Sequence, residues 1–167
     1  MLVPFSIHIR EGGTMLRLLA VLGACLFALA LSPVAGAQER TRTTFVAMLS
    51  AENEVPGCPA GEESGAHGVA IVQIDEDTGE IRYRVVATNL PGTIAGSPGA
   101  HIHVGRAGDM GPVVQPLQLT GRNQGLVASG TATNPALAQA ILADPANYYV
   151  NVHTTVCPAG AIRGQLG

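Results

Sequence analysis

The sequence contains no lysine and no tryptophan, and charged residues account for only 13% of its 167 residues. All nine basic residues are arginines, and twelve aspartates and glutamates outnumber them, which gives a formal net charge of −3 at pH 7. Nucleic acids and anionic membrane surfaces bind patches of positive charge. Since a mildly acidic chain with so few basic residues lacks such patches, the composition argues against both kinds of partner.

Long apolar runs are also scarce. The one extended run, residues 18–31, covers about 14 residues, whereas a membrane-spanning helix needs about 20. It follows Arg17 and precedes the triplet Ala-Gly-Ala at 35–37. This is the layout of a secretory signal peptide with its cleavage site.

The layout predicts two parts of the chain. Residues 1–37 would form an N-terminal extension and signal peptide, cleaved after Ala37, with Met15 as the true start. Residues 38–167 would form one exported domain, periplasmic or extracellular, without a membrane span. The segment ending in Cys25 resembles a lipoprotein attachment site, but the apolar run continues past this cysteine, where a lipoprotein turns polar. Cys25 is therefore expected to be discarded with the signal peptide.

Only Cys58 and Cys157 then remain, each in the tetrapeptide CPAG. The flanks of the two copies share nothing, so the repeat is not a domain duplication. A zinc site of the CxxC type needs pairs of cysteines, and each copy has only one. Two cysteines in an exported chain favour a disulfide over free thiols. We predict a Cys58–Cys157 disulfide between the first loop and the loop before the last strand.

Glycine and proline interrupt the chain at intervals of about 8 to 12 residues, which is typical of short strands and turns. The clearest hairpin joins residues 69–74 to 81–89 through the turn DEDTGE. The first of these runs, VAIVQI, is almost entirely apolar, which favours a strand covered on both faces. Pro116 predicts an edge strand or a bulge in VVQPLQL.

One segment has the signals of a helix. In NPALAQAILAD, Asn134 is a suitable N-cap, Pro135 occupies the first helical position, and Pro145 follows the last turn. One helix among seven or eight short strands predicts an all-β fold, an antiparallel sandwich or barrel.

Three histidines lie on predicted strands, His101 and His103 in AHIHV and His153 in YYVNVH. Side chains alternate between the faces of a strand, so His101 and His103 share one face. Tyr149, Asn151 and His153 share the face opposite the valines of their strand. If the two strands are neighbours, three imidazoles converge, and such a set binds zinc or copper.

The same residues have a structural interpretation, as polar groups that hydrogen-bond across strands. In the metal interpretation, Asp109, Asn151 and Tyr149 are candidates to orient the histidine rings. His67 lies in a glycine-rich loop and is a poor fourth ligand. No serine occurs in a G-x-S-x-G context, and neither remaining cysteine is a plausible free nucleophile, so no catalytic residues are predicted.

The ordered segments LSAENEVP, AHIHVGRAGDMGPVV, YYVNVHT and PAGAIRGQL together resemble the CHRD domain, a module named after its repeats in chordin and also found singly in exported bacterial proteins. The resemblance covers residues 43–166. It implies an immunoglobulin-like β-sandwich outside the cytoplasm and no established catalytic activity. Members usually carry Glu where this chain has Ala161, which removes one possible partner of Arg163. HIHVG also resembles, over about ten residues, the copper-ligand strand of copper-zinc superoxide dismutases. The bridging histidine and zinc cluster are missing, so dismutase activity is not expected.

Two functions follow as hypotheses. The first is an exported non-catalytic CHRD-type binding or structural module, whose exposed histidine-bearing face and loops contact an extracellular or periplasmic protein or glycan. The second is a mononuclear copper or zinc protein that uses His101, His103 and His153 as ligands.

Overall fold

The computed structural model describes residues 41–96, 99–121 and 123–167. The predicted signal peptide and its cleavage site, residues 1–37, lie outside the described residues, so this part of the domain division stays a prediction. Within the described ranges, no helix is long and apolar enough to cross a membrane.

The described residues form eight strands, two short α-helices and two 3-10 turns. The strands are β1 (Arg42–Ser50), β2 (His67–Asp75), β3 (Glu80–Thr88), β4 (Ala100–Val104), β5 (Val113–Pro116), β6 (Gly125–Thr133), β7 (Tyr148–Val152) and β8 (Ile162–Gln165). The helices are α1 (Pro59–Ser64) and α2 (Pro135–Ala143), and the 3-10 turns cover Ala51–Asn53 and Pro145–Asn147.

All eight strands belong to one antiparallel sheet with the order β5-β4-β7-β8-β1-β2-β3-β6. The sheet curls into a half-barrel. The predicted all-β class is therefore confirmed, and of the two predicted forms, sandwich or barrel, the sheet is closer to a barrel. The predicted hairpin is β2–β3, closed by a turn in which Asp75 Oδ1 accepts hydrogen bonds from the amide and hydroxyl of Thr78. β5 is an edge strand that ends at Pro116, as its proline predicted.

The hydrophobic core lies against one face of the sheet, which we call the inner face. Alternate residues of β2 and β3 point into it, among them Val72, Ile74, Ile81 and Val85, all fully buried. α2 also contributes to this core. Its predicted cap is present, because Asn134 Oδ1 accepts from the amide of Leu137, and its Leu137, Ala138 and Ile141 are buried. Each fully buried isoleucine contributes roughly 1.5–3 kcal/mol relative to an exposed one.

The prediction that β2 is covered on both faces was wrong. Ile71 is 37% exposed and points to the side opposite the core, the outer face. Val69, two residues earlier, shares that side and is only partly buried. The apolar composition of this strand therefore reflects a hydrophobic patch on the outer face rather than a second covering layer.

The predicted loop after β1 contains the short helix α1. Pro59 begins it, Cys58 is its N-cap residue, and Gly65 ends it with a φ of 63° in the left-handed region. Six residues are too few for the apolar periodicity by which helices are recognised in a sequence. The predicted disulfide is confirmed: it joins Cys58 to Cys157, at a sequence separation of 99.

Candidate metal centre

A single row of paired residues crosses six strands on the outer face. Cross-strand pairing places these side chains on the same side of the sheet. In sheet order, the row consists of His101, Asn151, Arg163, Ser50, His67 and Thr88. On β4, β7 and β8 the row is buried, since His101 is 4% and Arg163 2% exposed, whereas on β2 His67 is exposed. The outer face therefore has a covered half and an open half.

The covered half holds the histidine cluster. His101 and His103 lie two residues apart on β4, and His153 immediately follows the neighbouring strand β7. One ligand atom from each of the three residues lies within 4.8 Å of those of the other two. The ring centroids are 4.9–6.3 Å apart. Strand pairing thus brings the three predicted residues together, whereas His67 is not part of the cluster.

Backbone carbonyls hold two of the rings in place. His103 Nδ1 lies 2.8 Å from the carbonyl oxygen of Gly111, and His153 Nδ1 lies 3.0 Å from that of Pro158. A carbonyl oxygen only accepts, so both Nδ1 atoms carry the proton and donate it. Each Nε2 is then left with a lone pair. In the described part of the chain, neither Nε2 has a hydrogen-bond partner.

The surroundings also favour the neutral form of these two imidazoles. Burial lowers the pKa of His153, against the smaller opposing effect of its hydrogen bond to Pro158. Burial likewise lowers the pKa of His103; the hydrogen bond to Gly111 opposes this, while the nearby His153 and Arg163 add to it. Neutral imidazole is the form that binds a metal ion.

Tyr149 links His103 to the loop that orients it. Its ring stacks on His103 at a centroid distance of 4.8 Å with 9° between the planes, and its hydroxyl accepts a hydrogen bond from the Gly111 amide at 3.1 Å. The Arg163 guanidinium lies 4.5 Å from the Tyr149 centroid, and its Nη1 donates to the carbonyl oxygen of Asp109 at 2.8 Å. The loop that carries Gly111 is thereby held over the cluster at two points.

Glu54 is a buried carboxyl group near Arg163 and Asn151. It is 5% exposed, and its carboxyl group occupies the space that a β-carbon on Gly160 would fill. Burial raises its pKa to about 8, although the Arg163 charge and contacts with Asn151 and the backbone of Val55 each act to lower it. With a pKa of about 8, the carboxyl group is mostly protonated at neutral pH.

The three residues predicted to orient the rings have different positions. Tyr149 stacks on His103, and Asn151 is buried in register with His101. The Asp109 side chain is exposed, and among the described residues His103 Nδ1 lies against the Gly111 carbonyl rather than the Asp109 carboxylate. Every residue has a backbone carbonyl, so the sequence does not show which carbonyl a turn places against a histidine ring. The roles of Gly111 and Pro158 could therefore not be predicted from the sequence.

An antiparallel half-barrel with a polar cluster buried on its outer face defines a class of all-β modules, and it does not by itself define a reaction. The model of the CHRD domain matches residues 45–166, and the chain belongs to the CHRD domain family. No curated protein and no solved structure matches the chain.

Proposed function

We propose that this chain is an exported, non-catalytic CHRD module that binds one copper or zinc ion through His101, His103 and His153. The observation that carries the proposal is the pair of backbone carbonyls, of Gly111 and Pro158, that hold Nδ1 of two rings and leave their Nε2 lone pairs in the cluster. A hydrogen bond to Nδ1 is the usual means by which proteins fix the tautomer and direction of a metal-binding histidine.

The distances allow a metal ion after a small contraction. Metal–nitrogen bonds of 2.0–2.1 Å in a tetrahedral site require nitrogen atoms about 3.3 Å apart. The candidate ligand atoms lie within 4.8 Å of one another, so the rings would close by up to about 1.5 Å, through rotation about side-chain torsions.

The donor set indicates which ions would bind. Three imidazoles suit zinc and copper. Cys58 and Cys157 offer no thiolate, because they form the disulfide. Of the two divalent ions, copper is expected to bind more tightly, following the general order of affinities. Storage or delivery of the ion is the role that such a site supports.

Isothermal titration of the purified mature protein, stripped with a chelator, tests the proposal with Zn²⁺ and Cu²⁺ in separate experiments. We expect one ion per chain and a loss of affinity in His103→Ala that exceeds the roughly 10–100-fold cost of losing an orienting group. X-ray absorption of the loaded protein should show nitrogen and oxygen donors without sulfur.

His67→Ala is the matched control, because His67 is also on a strand of the outer face but lies outside the cluster. It should bind as the wild type does. The proposal is wrong if the wild-type protein takes up no ion, or if His103→Ala and His67→Ala lose affinity equally.

The other hypothesis, in which an exposed histidine face contacts a protein or glycan, needs correction. His101 and His103 are only 4% and 8% exposed, so their rings are not available to a macromolecular partner. A partner of this module would have to use another surface.

A further inference from the structure

The open half of the outer face carries a continuous hydrophobic patch. Cross-strand register aligns one apolar row, Met48, Val69, Val86 and Leu126, over four adjacent strands. The next row begins with Val46 and Ile71 and continues with Arg84 and Ser129. We call the apolar members of both rows the outer patch: Val46, Met48, Val69, Ile71, Val86 and Leu126.

The outer patch is accessible to solvent. Met48 is 68% and Val46 55% exposed, and Ile71, Val86 and Leu126 also count among the exposed large hydrophobic residues. Single exposed apolar residues are common, but contiguous ones mark interaction surfaces. Beside the patch lies a groove of about 470 Å³, lined by residues of β2, β3 and β6 that include Ile71, Arg84 and Thr131.

The charges around the outer patch are unbalanced. The strand acids at the far end of the same face are both paired, since Asp75 lies 3.7 Å from Arg42, and Glu80 lies 3.5 Å from Arg42 and 3.2 Å from Arg82. Arg84 lies in the second row of the patch and is exposed. Within the described residues it makes no ion pair and no hydrogen bond. The face therefore offers apolar side chains together with one uncompensated positive charge.

We propose that the outer patch docks an extended segment of a partner protein, in which apolar side chains alternate with carboxylates, one of which pairs with Arg84. The apolar side chains would lie on the two rows, and the groove would receive the segment beside Arg84. This surface lies on β1, β2, β3 and β6, which carry none of the three clustered histidines, so it is independent of the metal proposal.

Charge complementarity favours this occupant over a second copy of the chain or a lipid surface. Two outer patches placed face to face would bring no free strand carboxylate to either Arg84, because Asp75 and Glu80 are already paired. An anionic bilayer attracts clusters of basic residues, whereas this patch has a single free arginine in a chain of net charge −3.

The test uses two synthetic peptides, one alternating leucine with aspartate and the other alternating leucine with lysine, titrated against the wild-type protein at low salt. We expect the acidic peptide to bind more tightly than the basic one. Arg84→Glu should weaken binding of the acidic peptide by about tenfold or more and strengthen binding of the basic peptide, because it replaces an attraction with a repulsion. Met48→Asp should weaken the binding of both peptides.

Arg106→Glu is the matched control, because it changes the net charge equally but lies at an exposed ion pair with Asp144, away from the outer patch. It should leave the preference for the acidic peptide unchanged. The proposal is wrong if the acidic peptide does not bind to the wild type, or if Arg84→Glu still binds the acidic peptide more tightly than the basic one. It is also wrong if Arg106→Glu changes the two affinities as much as Arg84→Glu does. So would a dimer in sedimentation that Met48→Asp dissociates, or co-sedimentation with phosphatidylglycerol vesicles that Arg84→Glu abolishes.

Discussion

His153 Nδ1 donates to the carbonyl oxygen of Pro158, the residue that directly follows the disulfide-bonded Cys157. The disulfide therefore anchors the turn that orients one of the three clustered rings. It joins residues 99 positions apart, so it also closes a loop that includes most of the folded domain.

Removing the disulfide should reduce both stability and metal affinity. For a loop of this length the chain-entropy model gives about 4.7 kcal/mol, and removal of native disulfides typically costs about 2–5 kcal/mol. We expect the Cys58→Ser, Cys157→Ser double variant to show that loss in urea unfolding monitored by circular dichroism. At urea concentrations where it is still folded, its affinity for Zn²⁺ should be lower than that of the wild type. An unchanged unfolding midpoint would contradict the prediction.

Gly111 has no space for a side chain. A β-carbon at this position would overlap the carbonyl group of Val104, and a backbone atom cannot move aside as a flexible side chain can. Gly111→Ala should therefore displace the carbonyl that orients His103 and cost roughly 1–3 kcal/mol of stability. Thermal unfolding measures the cost. Gly96→Ala, at an exposed glycine with no atom within 4 Å of the added carbon, is the control and should unfold near the wild-type midpoint.

The hydroxyl of Tyr149 can be removed without removing its ring. Tyr149→Phe keeps the stack on His103 but leaves the Gly111 amide without its acceptor. We expect a loss of about 1 kcal/mol of stability and faster hydrogen exchange of the Gly111 amide. Tyr148→Phe, at the neighbouring buried tyrosine, serves for comparison and should not alter that exchange. Equal exchange rates in all three proteins would show that the hydroxyl does not hold the loop.

Glu54 makes stability depend on pH. Burial raises the pKa of its carboxyl from the ordinary 4.5 to about 8, so between these values the folded state binds more protons than the unfolded state. The contribution of Glu54 is therefore complete below about pH 4.5 and is lost as the pH rises through about 8, at a slope of at most about 1.4 kcal/mol per pH unit. The lowered pKa values of His103 and His153 act in the opposite sense, since their contribution is present above pH 6.5 and is lost as the pH falls.

Comparison with Glu54→Gln separates these effects, because the histidine contributions cancel in the difference between the two proteins. The free energy of unfolding of Glu54→Gln relative to the wild type should increase steadily from pH 5 to pH 8, measured in urea with a chelator present. Glu52→Gln, at an exposed position two residues earlier, is the matched control. A difference that does not vary with pH would mean that Glu54 is not protonated in the folded protein.

The sequence by itself determined the strands, the hairpin, the helix from Pro135, the disulfide and the shared face of His101 and His103. Most of these features follow from local chemistry, because side chains alternate along a strand and asparagine and proline begin helices. The disulfide followed from the expectation of export, under which two remaining cysteines pair. The CHRD resemblance was also visible in the order of the motifs alone, and the family match over residues 45–166 confirms it.

Only the tertiary structure decided which faces are covered. The alternation of β4 predicts that His101 and His103 point away from the core, but it does not predict that the loop carrying Asp109 and Gly111 covers them. The apolar run of β2 predicts a strand buried on both sides, but the outer face there is open. In both cases the deciding contacts join residues far apart in the chain, and a pattern within one strand records which side a residue faces but not what lies against that side.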